Sequence, residues 1–133
     1  MQDFKTLWDN ALTFDAFQAA STKHKGLWEG LYKIARLPAW ATESVPANPG
    51  RKLLVIAEDW CGDASSTVPI LARLAHEAPG LELRIIRRDE HPEVMERYQA
   101  AGAQVYRTDR DGAVTIDTDG ISVAASTYTK TRN

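Results

Sequence analysis

The stretch of the chain whose residue types could do chemistry is AEDWCGDA, residues 57–64, which contains Cys61, the only cysteine among the 133 residues. It follows an apolar run and precedes a segment with helical periodicity. A Trp-Cys-Gly step in that setting usually introduces a redox pair whose second cysteine lies three residues later. Ala64 occupies that position, so the chemistry open to this stretch is that of a single thiol.

Opposing electrostatic effects act on the Cys61 thiol. Unpaired N–H groups and the dipole at a helix N-terminus favour the thiolate, which is the nucleophilic form. Glu58, Asp59 and Asp63 bring negative charge close in sequence and oppose it. Because a helix end is equivalent to about half an elementary charge, one carboxylate within a few Å offsets much of its effect. The sequence therefore leaves open both a reactive thiolate and an inert, buried cysteine.

The segment ahead of this stretch is predicted to be helical. Apolar residues recur at helical spacing between residues 3 and 37, Thr13 is predicted to be an N-cap, and Pro38 ends the segment. Residues 38–50 are rich in proline, serine and asparagine and lack a period, which predicts a connecting loop.

Strands and helices are predicted to alternate around and after Cys61. The predicted elements, in chain order, are a strand at residues 52–58 that is buried on both faces, a helix at about 62–78, a strand at 81–87 and a helix from Pro92 to Gly102. Pro69 lies inside the first of these helices. Because strand, helix and strand in this order form a βαβ unit, the two strands should be parallel.

The last part of the chain is predicted to contain a hairpin. Asp111-Gly112 lies between two stretches of β-forming residues. This dipeptide is typical of a type I′ turn. The sequence therefore predicts a hairpin near residues 104–118.

Composition and charge exclude several classes of protein. With 44% hydrophobic residues, 26% charged residues and a formal net charge of −2, the chain is typical of a soluble globular protein, and neither nucleic acid nor a membrane is expected as a partner. The N-terminal residues lack the basic and apolar regions of a signal peptide, so a cytoplasmic location is expected. Arg84–Arg88, the densest basic stretch, is interpreted as a strand end with solvated arginines.

Other candidate residues are given structural interpretations. His24, His76 and His91 lack the spacing of a metal site, so they are interpreted as surface histidines and no metal is expected. Asp63 is interpreted as the cap of the helix that follows Cys61. The tryptophans at positions 8, 28 and 40 are interpreted as core or loop packing residues.

Four spaced features match one known family. They are Trp60-Cys61-Gly62 at a strand-to-helix junction, Pro69 eight residues after the cysteine, Asp89-x-x-Pro92 followed by Tyr98 in the next helix, and Asp111-Gly112 at a hairpin turn. In this order the features resemble those of the thioredoxin-like family, in particular its bacterial members with a Trp-Cys-Gly-Asp motif.

The resemblance implies an α/β thioredoxin-like fold in which helices flank a central mixed sheet. It implies a single domain over residues 1–133, with a helical extension and loop at 1–50 and a thioredoxin-like core at 51–133 whose C-terminal part is atypical or truncated. Cys61 is then the catalytic residue. The residues expected to contact the substrate are Trp60, Gly62 and Asp63.

Three departures from the family pattern bear on function. Ala64 replaces the resolving cysteine, and Ala103-Gln104 replaces an aliphatic residue and a cis-proline. Val55 stands where many members bury an acidic residue beneath the cysteine. Since a cis X-Pro bond in this family presents backbone groups to a substrate strand, its loss matters physically. Disulfide reduction by this chain alone is therefore excluded.

The resemblance and the departures together favour monothiol thiol–disulfide exchange through Cys61. No bound cofactor is expected, and an external thiol such as glutathione would act as co-substrate. The expected partners are protein or small-molecule disulfides, and oxidation would link two copies through Cys61. The alternatives left open are a redox-inactive thioredoxin-like binding module and a remnant of a dithiol oxidoreductase.

Overall fold

The computed structural model describes residues 3–102, 113–118 and 122–128. The chain divides into two compact units, Met1–Pro92 and Glu93–Asn133. The described elements of the first unit are α1 (Phe4–Asn10), α2 (Phe14–Ala20), α3 (Lys25–Ile34), α4 (Ala39–Glu43), β1 (Arg51–Ala57), α5 (Gly62–Glu77) and β2 (Leu81–Arg87). None of the helices in the described ranges has the length and apolar character needed to cross a membrane.

Three short helices, α1, α2 and α3, occupy the segment that was predicted to be helical at residues 3–37. Side-chain caps start the first two, because the Asp3 carboxylate and the Thr13 hydroxyl each accept from the backbone N–H three residues later, at 2.7 and 3.2 Å. The predicted cap at Thr13 is thereby confirmed. α3 begins after His24, whose backbone is left-handed with φ of 51°. The predicted N-cap at Thr13 marks the break between α1 and α2. The break between α2 and α3 was not predicted, because helical periodicity continues across it.

The N-terminal helices are attached to the sheet through Leu12, which lies between α1 and α2. Its N–H donates to the Ile85 carbonyl at 2.9 Å, and the Ile85 N–H donates to the Leu12 carbonyl at 2.8 Å. This pair of hydrogen bonds is an antiparallel bridge on β2. The extension is therefore bonded to the core rather than merely connected to it.

β1 and β2 are parallel and pair from Arg51↔Leu81 to Ala57↔Arg87, with α5 as the crossover between them. This confirms the predicted βαβ unit. The expected burial of both faces of β1 is wrong, since most of the strand is half-buried and only Ala57 is buried. Within the described residues β1 pairs with β2 alone. Both strands end at the same level, and the loops after them leave the same edge of the sheet.

The core of the first unit lies between the N-terminal helices, α5 and the sheet. Its buried residues are Phe14, Phe17, Trp28, Ala57, Val68, Ala72 and Ile85. Phe17 and Trp28 are fully buried, with ring centroids 4.9 Å apart. Pro69 lies inside α5, as predicted, and is buried too. The helical extension therefore supplies the aromatic half of the core.

The segment at residues 38–50 contains the short helix α4, which the loop prediction missed. The rest of the segment runs close to the turn before β2. A Cβ atom added at Gly80 would collide with the backbone of Pro46, so this approach requires glycine.

The second unit contains most of α6 (Pro92–Ala100), together with β3 (Ala113–Thr118) and β4 (Val123–Tyr128). α6 begins at the predicted proline, and Gly102 follows its end with φ of 82°. β3 and β4 pair antiparallel from Ala113↔Tyr128 to Thr118↔Val123. The parallel and antiparallel pairings expected in one mixed sheet are thus seen as two separate pairs within the described ranges.

The predicted hairpin near residues 104–118 is tested only in its second half. Its first strand, the Asp111-Gly112 turn and the Ala103-Gln104 pair lie outside the described residues. Its second strand corresponds to β3, whose observed partner is β4. β4 was not predicted, because its alanine and serine residues have weak β propensity.

Candidate functional site

The candidate site is the loop that joins β1 to α5. Cys61 is the N-cap residue of α5 and is half-buried. Its N–H donates to the Glu58 carbonyl at 3.2 Å, and its carbonyl accepts from the Ser65 N–H at 2.9 Å, which is the first bond of the helix. The thiol therefore lies at the positive end of a helix of 16 residues, as the sequence predicted.

Asp63 does not cap this helix. It is exposed in the first turn of α5, two positions after the N-cap residue Cys61. An acidic residue there still interacts favourably with the helix dipole. The predicted capping role of Asp63 is wrong because the chain enters the helix at the cysteine.

The two carboxylates before Trp60 are buried, with 7% of the Glu58 side chain and 8% of the Asp59 side chain exposed. Arg87, at the end of β2, lies 3.3 Å from Glu58 Oε2 and 3.8 Å from Asp59 Oδ1. Its guanidinium also lies over the Phe17 ring, 4.7 Å from the centroid. The interpretation of the Arg84–Arg88 stretch as solvated is therefore wrong for Arg87.

Asp59 connects the loop to the N-terminal helices. Its Oδ2 accepts from the backbone N–H groups of Thr22 and Lys23 at 2.8 and 3.1 Å. Its backbone carbonyl accepts from the indole Nε1 of Trp28 at 3.1 Å. Burial by itself raises the pKa of the Asp59 carboxyl, but the two N–H donors and the charge of Arg87 outweigh burial and hold that pKa below its usual value.

The ionisation of Asp59 should make stability depend on pH. An unfolded aspartate has a pKa of about 3.9. Because the folded pKa of Asp59 is lower, its carboxylate contributes stability above the unfolded value, and this contribution is lost as the pH falls through the folded value. Denaturant unfolding at about pH 7 and about pH 3 should show a larger loss for the wild type than for Asp59→Asn. Equal losses would contradict this assignment.

Trp60 directly precedes Cys61 and is 44% exposed. The Arg88 guanidinium lies 4.9 Å from its ring centroid and donates to Asp89 Oδ1 at 3.1 Å. The loops after β1 and β2 therefore meet at Trp60, the residue before Cys61. Gly62 is exposed, and a Cβ atom added there would meet nothing within 4 Å, so the start of α5 is open to an approaching molecule.

The position of the absent second cysteine is part of the core. Ala64 is half-buried and packs against the core cluster. Val55, at the position of the family's buried acid, packs there as well. Glu58 and Asp59 are instead the buried carboxylates of this site.

Of the remaining predicted residues, Trp8 and Trp28 are buried as expected, whereas Trp40 is 70% exposed and its packing interpretation is wrong. His24 and His76 are exposed, as expected of surface histidines. His91 is half-buried. In the part of the chain that the structure describes, no group of three or more His, Cys, Asp or Glu side chains could hold a metal ion.

The contacts of Arg87 with Glu58 and Asp59 were not predicted, although the order of residues along the chain contains a signal for them. Two acidic residues follow β1 directly, and Arg87 is the last residue of β2. Since parallel strands end at the same edge of a sheet, acids after one strand and an arginine ending the next are expected to meet.

Comparisons with known proteins support the same fold. The thioredoxin family model Thioredoxin_9 matches residues 11–105. A Pseudomonas aeruginosa protein of unknown function, PA1234, has a TM-score of 0.65 and 24% sequence identity over 78% of this chain. A crystal structure of an HIV epitope scaffold has a TM-score of 0.59 and 23% identity over 77% of this chain. The chain spans 64% of the length of each of these two structures.

A search of curated proteins found no match. At the identities of the two solved structures, the likeness shows the fold alone. The family model matches more than half of the chain, and the matched residues include β1, the Trp-Cys-Gly stretch, α5 and β2. The βαβ unit has Trp60-Cys61-Gly62 at the start of α5 and Pro69 inside that helix, as the resemblance implies. The chain therefore has an α/β thioredoxin-like fold and belongs to the thioredoxin family.

Proposed function

We propose that this protein carries out thiol–disulfide exchange through Cys61 alone, with the resolving thiol supplied from solution. One observation carries the proposal: Cys61 is the half-buried N-cap residue of α5, while the two carboxylates just before Trp60 are bound to other groups. The helix end favours the thiolate. Of the three carboxylates that the sequence analysis expected to oppose the thiolate, Glu58 and Asp59 are paired with Arg87 and accept from backbone N–H donors, whereas Asp63 is exposed.

The proposed reaction has two exchange steps. The Cys61 thiolate attacks one sulfur of a substrate disulfide, so a new S–S bond forms, the substrate bond breaks and the other substrate sulfur leaves as a thiolate. An external thiolate, such as that of glutathione, then attacks the substrate sulfur of the mixed disulfide. That step restores the Cys61 thiolate and leaves a disulfide between the substrate and the external thiol. Cys61 therefore undergoes no net oxidation.

The surface around the thiol suits an extended partner. Trp60 offers a partly exposed aromatic face beside Cys61, and an aromatic face gives apolar contact to a partner chain. The open backbone at Gly62 allows close approach to the start of α5. Asp63 is exposed on the same turn. These three residues are the proposed substrate contacts, and protein or small-molecule disulfides are the proposed substrates.

A redox-inactive binding module is the second candidate function. It is favoured by Ala64, which packs against the core where a resolving thiol would lie, together with the exposed ring of Trp60. A remnant of a dithiol oxidoreductase would share these features. In either case Cys61→Ser would leave any partner binding unchanged.

Mixed-disulfide formation tests the proposal. We expect the intact mass of the folded protein to rise by one glutathione after exposure to oxidised glutathione, and to return on addition of reduced thiol. Cys61→Ser should gain nothing, because the chain has no other thiol.

Denatured wild-type protein under the same conditions shows that the reagent is competent. An unmodified folded protein beside a modified denatured one would reject exchange through Cys61. A non-reducing gel of the same samples would separate the glutathione adduct from a dimer linked through Cys61.

A further inference from the structure

We infer that Glu58 and Asp59 are positioning residues for Cys61, which clamp the loop that carries the thiol between two separate parts of the first unit. The inference depends on the proposed function in one respect, because the thiol that the clamp positions is the one proposed to carry out the exchange. The contacts of each carboxylate define one arm of the clamp.

The first arm runs from Glu58 to the end of β2. Glu58 Oε1 accepts from the backbone N–H of Asp89 at 2.8 Å, and Oε2 accepts from Arg87 Nη1 at 3.3 Å. One carboxylate oxygen therefore contacts the last residue of the neighbouring strand, and the other contacts the loop that follows it. That loop also contributes Arg88, whose guanidinium lies over Trp60.

The second arm runs from Asp59 to the connection between α2 and α3. Three hydrogen bonds form it, from the N–H groups of Thr22 and Lys23 to the carboxylate and from the Trp28 indole to the backbone carbonyl. Trp28 is fully buried, so this arm is attached to the core. The helical extension thus holds the residue two positions before the cysteine.

The chemistry of these contacts fits positioning better than simple stabilisation. Burying carboxylates has a desolvation cost that ion pairing often only offsets, so a buried ion pair is weak evidence of a stability role. The hydrogen-bonding groups here are nevertheless satisfied, since no buried side-chain nitrogen or oxygen in the described ranges lacks a partner. A fully bonded polar network fixes geometry, and geometry determines whether Sγ sits where the helix end favours its thiolate.

The test compares two substitutions that remove the same charge. Asp59→Asn keeps an oxygen that can accept from Thr22 and Lys23, whereas Asp59→Ala keeps none. The readout is the rate of Cys61 alkylation by iodoacetamide at neutral pH, which depends on the thiolate fraction. We expect Asp59→Ala to react about two- to fivefold more slowly than Asp59→Asn, the range that corresponds to the helix-end interaction.

The matched control is Asp15, an exposed acid in the first turn of α2. Asp15→Ala and Asp15→Asn should alkylate at equal rates. Thermal unfolding shows whether each variant is folded at the assay temperature. If Asp59→Ala is not folded, the same comparison between Glu58→Ala and Glu58→Gln decides, because the glutamine also keeps an acceptor oxygen.

Equal alkylation rates in the alanine and asparagine variants, or a faster rate in the alanine variant, would overturn the clamp. This readout does not require disulfide exchange. A wild-type protein that is alkylated but forms no glutathione adduct would therefore reject the proposed function, while the rate comparison would still decide whether the two carboxylates position Cys61.

Discussion

Replacing Arg87 with methionine is expected to lower the free energy of unfolding by about 3–5 kcal/mol, because it removes the cation that Glu58 and Asp59 share. Methionine keeps an unbranched apolar side chain, so the loss reports mainly the charge. The two carboxylates are at most 8% exposed and would be left buried without their cation. Urea unfolding at neutral pH measures the loss in unfolding free energy. This loss should be smaller at lower pH, because protonated carboxylates no longer need the cation.

The matched control is Arg73→Met. Arg73 pairs with Glu77 at 2.7 Å, but the two side chains are 27% and 34% exposed. A pair of this kind contributes about 0.2–1 kcal/mol, so this variant should lose far less stability. The double variant Glu58→Gln with Arg87→Met should recover part of the Arg87 loss, which a double-mutant cycle would quantify. Equal losses in the two arginine variants would show that the buried network has no special role.

Introducing a second thiol with Ala64→Cys is expected to reduce the steady level of the Cys61–glutathione adduct by about tenfold or more. Residues three apart at a helix start lie on one face, so the new thiol would be close to the mixed disulfide. It would attack the Cys61 sulfur, release glutathione and leave an internal disulfide. An intramolecular thiol has a high effective concentration, so this step should be faster than attack on the mixed disulfide by a thiol from solution.

Ala64→Ser is the matched control, since serine is similar in size and has no thiol. Its adduct should persist as in the wild type. Intact mass before and after alkylation distinguishes an internal disulfide from two free thiols in Ala64→Cys. An adduct that persists equally in the cysteine and serine variants would mean that position 64 is too far from Cys61 or too constrained by the core to resolve it.

Much of the fold follows from local signals in the sequence. The apolar run of β1, the helical period of α5 and the first-turn proline of α6 each act within a few residues, and all three elements lie close to their predicted bounds. The cysteine at the start of α5 follows from the same signals. The break between α2 and α3 was less visible, because the apolar period continues across it and no side-chain cap marks the start of α3.

The contacts of the site could not be derived in the same way. In sequence, Glu58 and Asp59 are negative charges close to Cys61. In the structure, Glu58 meets Arg87, 29 residues later, and Asp59 meets the backbone of Thr22, 37 residues earlier. These partners are adjacent only because β1 and β2 are parallel and end together, and because the N-terminal helices pack against the sheet.

The sequence by itself determined the βαβ unit, the family and the single thiol at a helix start, because each depends on residue types at short spacing. Only the tertiary structure decided the electrostatic surroundings of that thiol. Coulomb interactions and hydrogen bonds depend on distance and burial in space, and those are properties of the assembled sheet and helices. Judged from the sequence, Glu58 and Asp59 oppose a thiolate at Cys61. In the structure their contacts with Arg87 and with the amides of the loop at residues 21–24 hold the loop that contains Cys61.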